Sequence, residues 1–248
     1  MRSTDAEVEG AGAGASPARA RARAGGPPLR LARPRAIVNA RGVRVALMVL
    51  MLGVLPRVAA AGPTAVPVTV HVLTDDAGRA ATDAEVAAWI ATANERFAAA
   101  DLTLVVTGTV ELARDAVIDS VAERHGLAAE APKDGTVHVF VARGVADKDQ
   151  AGAWLGGVHW RYAGGKRAWR GRHYVIVSAE GARIDTCAHE LGHFFGLGHR
   201  AEDDNLMNGQ RVGDVAQFDA GQVKTIASHL RAAVRSRELT PLAAAHQP

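Results

Sequence analysis

Apolar positions along the chain change their period several times, and each change predicts an element. Val66-Pro-Val-Thr-Val-His-Val-Leu73 alternates β-branched residues with others, which predicts a first strand. Thr82-Asp-Ala-Glu85 has the pattern of a capping box. Behind it Val86, Ile90, Ala93 and Phe97 recur at helical spacing, with Trp89 and Ala100 on the same face, so a long amphipathic helix to about Ala100 is expected. Residues 102–110 and 137–141 read as strands, with a short helical stretch near 116–124 between them. Residues 143–172, rich in Gly, Trp and Arg, read as one long connection carrying Trp154, Trp160 and Trp169. His173–Ser178 predicts another strand, and Val223, Ile226, Ala227, Leu230 and Val234 mark a C-terminal helix beginning near Asp219. Strands and helices alternate early and helices close the chain, which is an α/β or α+β layer arrangement.

The first 61 residues break this picture. Residues 1–40 are rich in Ala, Arg, Gly and Pro without periodicity, the composition of a disordered extension or of an N-terminus assigned too far upstream. From Arg41 a basic stretch leads into the apolar run Val45–Leu55, then Pro56-Arg57 and Val58-Ala-Ala-Ala61. That order matches a secretory signal peptide over residues 41–61, with Ala60 and Ala61 as alternative exit positions. The run is well short of the roughly 20 residues that span a bilayer, so no stable membrane anchor is expected after cleavage, an uncleaved anchor being the other reading. The expected location is outside the cytoplasm, secreted or periplasmic, and residues 62–248 form one domain.

Charge changes little except by subtraction. The formal net charge is +3, but residues 1–61 hold ten Arg against Asp5, Glu7 and Glu9. The remaining 187 residues carry 19 Lys/Arg and 23 Asp/Glu, with no basic block or Arg/aromatic stripe, and no nucleic-acid partner is expected. Cys187 is the single cysteine, so no disulfide forms within the chain.

The chemistry concentrates in His189-Glu190-Leu191-Gly192-His193-Phe194-Phe195-Gly196-Leu197-Gly198-His199. Catalytic zinc takes three protein ligands and keeps a position open. His189 and His193, four residues apart, differ by about 40° around a helix, so both imidazoles face one metal. Glu190 stands beside the first ligand, placed to reach water at the metal. Gly196 permits the positive φ of a helix-ending turn, which brings His199 back as third ligand. HExxH alone is a weak signal; Gly196 and His199 at fixed offsets, after a predicted strand, make it a strong one.

With HExxHxxGxxH complete over residues 189–199, the chain resembles the metzincin clan of zinc metallopeptidases. Asn205-Leu206-Met207-Asn208 is similar to the clan's Met-turn, and Met207 follows His199 by eight residues, a matrixin-like spacing. Gly152-Ala-Trp-Leu and the run into Ala188-His-Glu-Leu-Gly-His are similar to pappalysin-like enzymes. Arg200 stands where matrixins usually carry Ser, and Gly209 where astacin- and serralysin-like members carry a Tyr ligand, so no subfamily is assigned. The resemblance implies a twisted mixed sheet with a long N-terminal helix, an active-site helix and a C-terminal helix, with a cleft across Zn2+. It implies a secreted endopeptidase acting on protein or peptide substrates by a zinc-activated water, with Glu190 as general base and Met207 as the floor under the metal. A secreted zinc-bearing binding or toxin-like module, and a zinc hydrolase of non-peptide amides, are the alternatives.

Other residues carry weaker readings. Cys187 is turned about 160° from His189 on a helix, which predicts a packed thiol rather than a latency device. Asp147, Asp149, His159 and His173 form a candidate second metal site against a reading as ordinary surface residues. Asp203-Asp204 offers calcium ligands or, more simply, a turn. The metzincin resemblance further implies that the stretch 152–162 is a candidate edge strand for an extended peptide.

Overall fold

The computed structural model describes residues 62–210 and 216–243. The expected extension at 1–40 and export signal at 41–61 lie outside the described residues. Among the described residues no helix is long and apolar enough to cross a membrane.

In chain order the elements are β1 (Thr64–Asp75), β2 (Gly78–Arg79), α1 (Asp83–Phe97), β3 (Leu102–Ala113), β4 (Val117–Ile118), α2 (Val121–Gly126), β5 (Val137–Ala142), β6 (Gly144–Ala146), β7 (Trp154–Leu155), β8 (Gly157–Arg161), β9 (His173–Ser178), α3 (Thr186–Phe194) and α4 (Ala220–Ser236). This is a mixed α+β fold. β1 pairs in parallel with β3 on one side and β5 on the other, β5 pairs in parallel with β9, and β8 lies antiparallel on β9. β2 folds back as a hairpin on the end of β1. A small second sheet has the order β4-β6-β7.

Burial explains the parallel centre. Every residue of β5 and all but the first of β9 are at least nine-tenths buried, which suits strands covered on both faces. On one face Val139, Val175 and Val177 pack with Trp89, Ile90 and Phe97 of α1, Leu191 of α3 and Ile226 of α4. On the other, Phe140, Tyr174 and Ile176 meet Leu73, Ile118 and Leu127. The Thr82–Glu85 capping box forms as expected, and Asp219 caps α4 with a reciprocal partner in Gln222.

Two expectations are corrected. The stretch near 116–124 is not one helix. Val117 and Ile118 are extended and pair with Gly144 and Val145, and the helix starts only after Ser120, whose hydroxyl and Glu123 complete a capping box. The connection 143–172 is also not free of structure: it contains β6, β7 and β8. β8 falls within the stretch 152–162 expected as an edge strand and lies at the end of the sheet, while β6 and β7 are only three and two residues long, too short for an alternation to stand out.

Candidate metal centre and its cleft

α3 carries the motif across the helix-facing side of the sheet. Gly157 of β8 passes so close that a Cβ there would stand 2.8 Å from Cγ of Glu190 and 2.9 Å from Cγ2 of Thr186. The helix ends at Phe194, and the chain turns through Gly196 at φ 86°, a conformation that favours glycine. The amide of Gly196 donates to His193 O (3.0 Å) and that of Leu197 to Gly192 O (3.0 Å), satisfying carbonyls the helix leaves open. The turn returns His199 toward the helix.

Three imidazoles then converge. Nε2 of His193 lies 3.2 Å from Nε2 of His189 and 3.1 Å from Nε2 of His199. The Nδ1 atoms of the first two are occupied elsewhere. His189 Nδ1 donates to Leu206 O at 2.7 Å and His193 Nδ1 to Leu197 O at 2.8 Å. A neutral imidazole that donates from Nδ1 keeps a lone pair on Nε2. Lone pairs therefore face one another at hydrogen-bond distance, an arrangement that a cation between them makes favourable. A tetrahedral zinc with Zn–N of 2.0–2.1 Å would space its nitrogens by roughly 3.3–3.4 Å, close to the separations seen. Burial holds the His193 pKa below its ordinary value; the Leu197 hydrogen bond raises it and the His199 charge lowers it further. The residues present fit zinc, and among the described residues this is the one group of His, Cys, Asp or Glu arranged to hold a metal.

The turn after His199 supports the site from below. Met207 is fully buried, and a Cβ added at Gly192 would come within 2.5 Å of its sulfur, so the glycine inside the motif makes room for the methionine. Asn205 pins the turn to α4. Its Nδ2 donates to Gln222 Oε1 and its Oδ1 accepts from Gln222 Nε2, both at 3.0 Å, while Met207 N donates to the same Oδ1 at 2.9 Å. Sequence reasoning named Gly196 and Met207 but missed Gly192, Asn205 and Gln222. The Asp219-x-x-Gln222 capping pattern was readable; its second job, 17 residues back at Asn205, was not.

A cleft of about 620 Å³ opens over the imidazoles, with Glu190, Gly156, Gly157, His159 and Arg183 in its lining. Glu190 is buried and shares this cleft with His189 and His193. His189 is buried and His199 exposed, so the centre opens to solvent on one side. Beside the cleft, β8 is an edge: among the described residues it pairs only with β9.

The weaker readings resolve as follows. Cys187 packs in the core, and burial and then the Glu190 charge push its thiol up to about 12, so it is a neutral thiol. His159 and His173 do come together, at 3.0 Å, but their third partner is Glu238. Asp147 and Asp149 instead bond locally, the Asp149 amide to Asp147 Oδ1 and Lys148 to the Asp149 carboxylate. Asp204 is a turn residue whose carbonyl accepts from Gln217 N. Away from the cleft His71 and His138 form a buried pair, Nε2 to Nδ1 3.0 Å.

No protein-family model matches the chain, and no curated protein matches it. Among solved structures it is similar to metalloproteinase-II from Bacteroides fragilis (TM-score 0.48, 12% identity), over 69% of this chain and 55% of that one. The chain thus spans about half the length of that protein. It is also similar to mirolysin in complex with compound 9 (TM-score 0.48, 14% identity), over 68% of this chain and 92% of that one. A third is Tannerella forsythia mature mirolysin in complex with a cleaved peptide (TM-score 0.43, 13% identity), over 73% of this chain and 100% of that one. Likeness at this level leaves the function to the chemistry of the centre itself.

Proposed function

We propose that the chain is an exported zinc-dependent endopeptidase of the metzincin type. The observation that supports this most directly is the convergence of the His189, His193 and His199 Nε2 atoms in one cleft with Glu190. Bound zinc supplies Lewis acidity there, polarising a carbonyl oxygen and making water acidic enough to ionise near neutral pH. With zinc held by His189, His193 and His199, Glu190 would take a proton at its carboxylate from the attacking water and would hand it to the departing amine. Leu206 O and Leu197 O hold the rings of His189 and His193 in the tautomer that leaves Nε2 free. The outer edge of β8 offers backbone groups to an extended peptide, a mode of binding that favours peptide over small amide substrates. Export rests on residues 41–61 and is tested by sequencing the N-terminus of the secreted protein, which should begin at Ala61 or Gly62.

Wild type and Glu190→Ala are compared for zinc per chain and for cleavage of an unbiased peptide library. One zinc in both, with cleavage by wild type alone, is the expected result. One zinc in both and cleavage by neither would shift the reading to a zinc-bearing binding module. No zinc in either folded protein would overturn the proposal at its root.

A further inference from the structure

The peptidase reading leaves one hydrogen-bonded chain of ionisable groups without a role. It begins in the segment after α4. Arg237 adopts a left-handed conformation (φ 60°) and the amides of Glu238 and Leu239 both donate to Ala233 O, which turns Glu238 back toward the sheet. There Glu238 Oε1 bonds His173 Nε2, and His173 Nδ1 lies 3.0 Å from His159 Nε2. The His173 ring lies flat on Phe194, the last residue of α3, with centroids 4.2 Å apart and planes 4° from parallel. His159 sits two residues after Gly157 on β8, so both face the same side, and His159 lines the cleft with Glu190 and His193. The chain therefore runs from the C-terminal segment into the catalytic cleft.

Its direction is set by its far end. A carboxylate only accepts, so His173 Nε2 carries the hydrogen. A neutral His173 then accepts at Nδ1, His159 Nε2 carries the next hydrogen, and His159 Nδ1 keeps its lone pair. That Nδ1 makes no hydrogen bond to the described protein and is not sealed from solvent. A fixed acceptor beside the metal centre matches the N–H groups that a peptide backbone presents.

We propose that His159 is a substrate-contacting residue whose Nδ1 accepts a hydrogen bond from a backbone N–H of the bound peptide, and that His173 and Glu238 are positioning residues that hold its tautomer. This rests on the peptidase reading above. It also ties the cleft to a residue far along the chain, since Glu238 and His173 are 65 positions apart.

The test uses the full chain and has two readouts. In the zinc-loaded wild type, 15N chemical shifts of the His159 ring should show hydrogen on Nε2 and none on Nδ1. In Glu238→Gln, whose amide can donate to His173 Nε2, the His159 signals should move toward the Nδ1-protonated form. The second readout is binding, in a Glu190→Ala background, of a peptide that the wild type cleaves. His159→Phe keeps a ring against Phe194 but removes the acceptor, and should weaken that binding by about 3- to 10-fold, the worth of one hydrogen bond. Glu238→Gln, a change at a partly exposed carboxylate, should weaken it in the same direction and, with Glu190 intact, raise KM more than it lowers kcat. Hydrogen on His159 Nδ1 in the wild type, or unchanged peptide binding by His159→Phe while the wild type cleaves, would overturn the contact and leave the peptidase reading standing. A wild type that holds zinc but neither cleaves nor binds peptide would defeat both.

Discussion

Asn205→Ala probes the support under the metal centre without touching a metal ligand. The side chain makes three hydrogen bonds in a buried setting, two with Gln222 at 3.0 Å and one from Met207 N at 2.9 Å. Its removal leaves two buried donors, Gln222 Nε2 and the Met207 amide, without partners. At about 1–3 kcal/mol for each orphaned group the chain should lose about 2–6 kcal/mol. A domain of this size shifts Tm by about 2–4 °C per kcal/mol, so a central loss near 4 kcal/mol lowers Tm by about 8–16 °C. Gln222→Ala orphans Asn205 Nδ2 and the Asp219 amide, which donates to Gln222 Oε1 at 2.8 Å. In the double variant the two amide side chains vanish together. Only the Met207 and Asp219 amides then lack partners, so its cost should fall short of the sum of the singles by about 2–6 kcal/mol, the worth of two orphaned groups. Urea unfolding is measured with a chelator present, because zinc bound only to the folded state would mask the loss. Zinc affinity is then measured by competition. Leu206, which orients His189, sits between Asn205 and Met207, so Asn205→Ala should weaken zinc binding by about 10- to 100-fold. Additive singles would refute the pairing, and an unchanged zinc affinity would refute the link from turn to metal.

Further outcomes are expected elsewhere. Gly196→Ala places a side chain at φ 86° and against the His229 ring, so it should destabilise the chain by more than the 1–2 kcal/mol of backbone strain and reduce zinc per chain by displacing His199. Burial, and then the neighbouring His138, lower His71 from its ordinary 6.5 to about 4, against a smaller opposing pull from Asp134. The unfolded chain then takes up that proton first as pH falls. Stability contributed by neutral His71 is present above about pH 6.5 and lost progressively toward pH 4, on the order of 3 kcal/mol, and the slope should flatten in His71→Phe. Cys187, buried and neutral, should resist a thiol reagent in the native state and react at once in urea, as a time course of thiol modification will show.

What the sequence made legible was local. The capping box at Thr82–Glu85, the apolar faces of α1 and α4, the strands around β1, β5 and β9 and the offsets of the motif are all short-range patterns, and they are present where periodicity places them. The folded chain brings His189, His193 and His199 together because a helix and one glycine turn suffice to do so. What stayed hidden was either short or distant. β4, β6 and β7 owe their conformation to pairing with one another rather than to their own two or three residues. The Asn205–Gln222 pair and the Glu238–His173–His159 chain join side chains from separate elements, and no spacing rule links such positions. The helical expectation near 116–124 held only from Val121, because pairing with β6 outweighed local preference at Val117 and Ile118.

The edge of β8 has a consequence for solubility. Unpaired backbone groups that, on the proposed function, take up an extended substrate will accept any extended chain, including β8 of a second molecule or a partly unfolded one. Proteins usually blunt such edges with proline, a bulge or a covering loop, and each of these would close the cleft to a peptide. Here the edge is kept to five residues, begins at a glycine and ends at the charged Arg161, so little chain is available for another molecule to zip along. Lengthening the apolar part of that strand would trade selectivity between substrate and self for tighter binding of both, and aggregation would be the first sign of it.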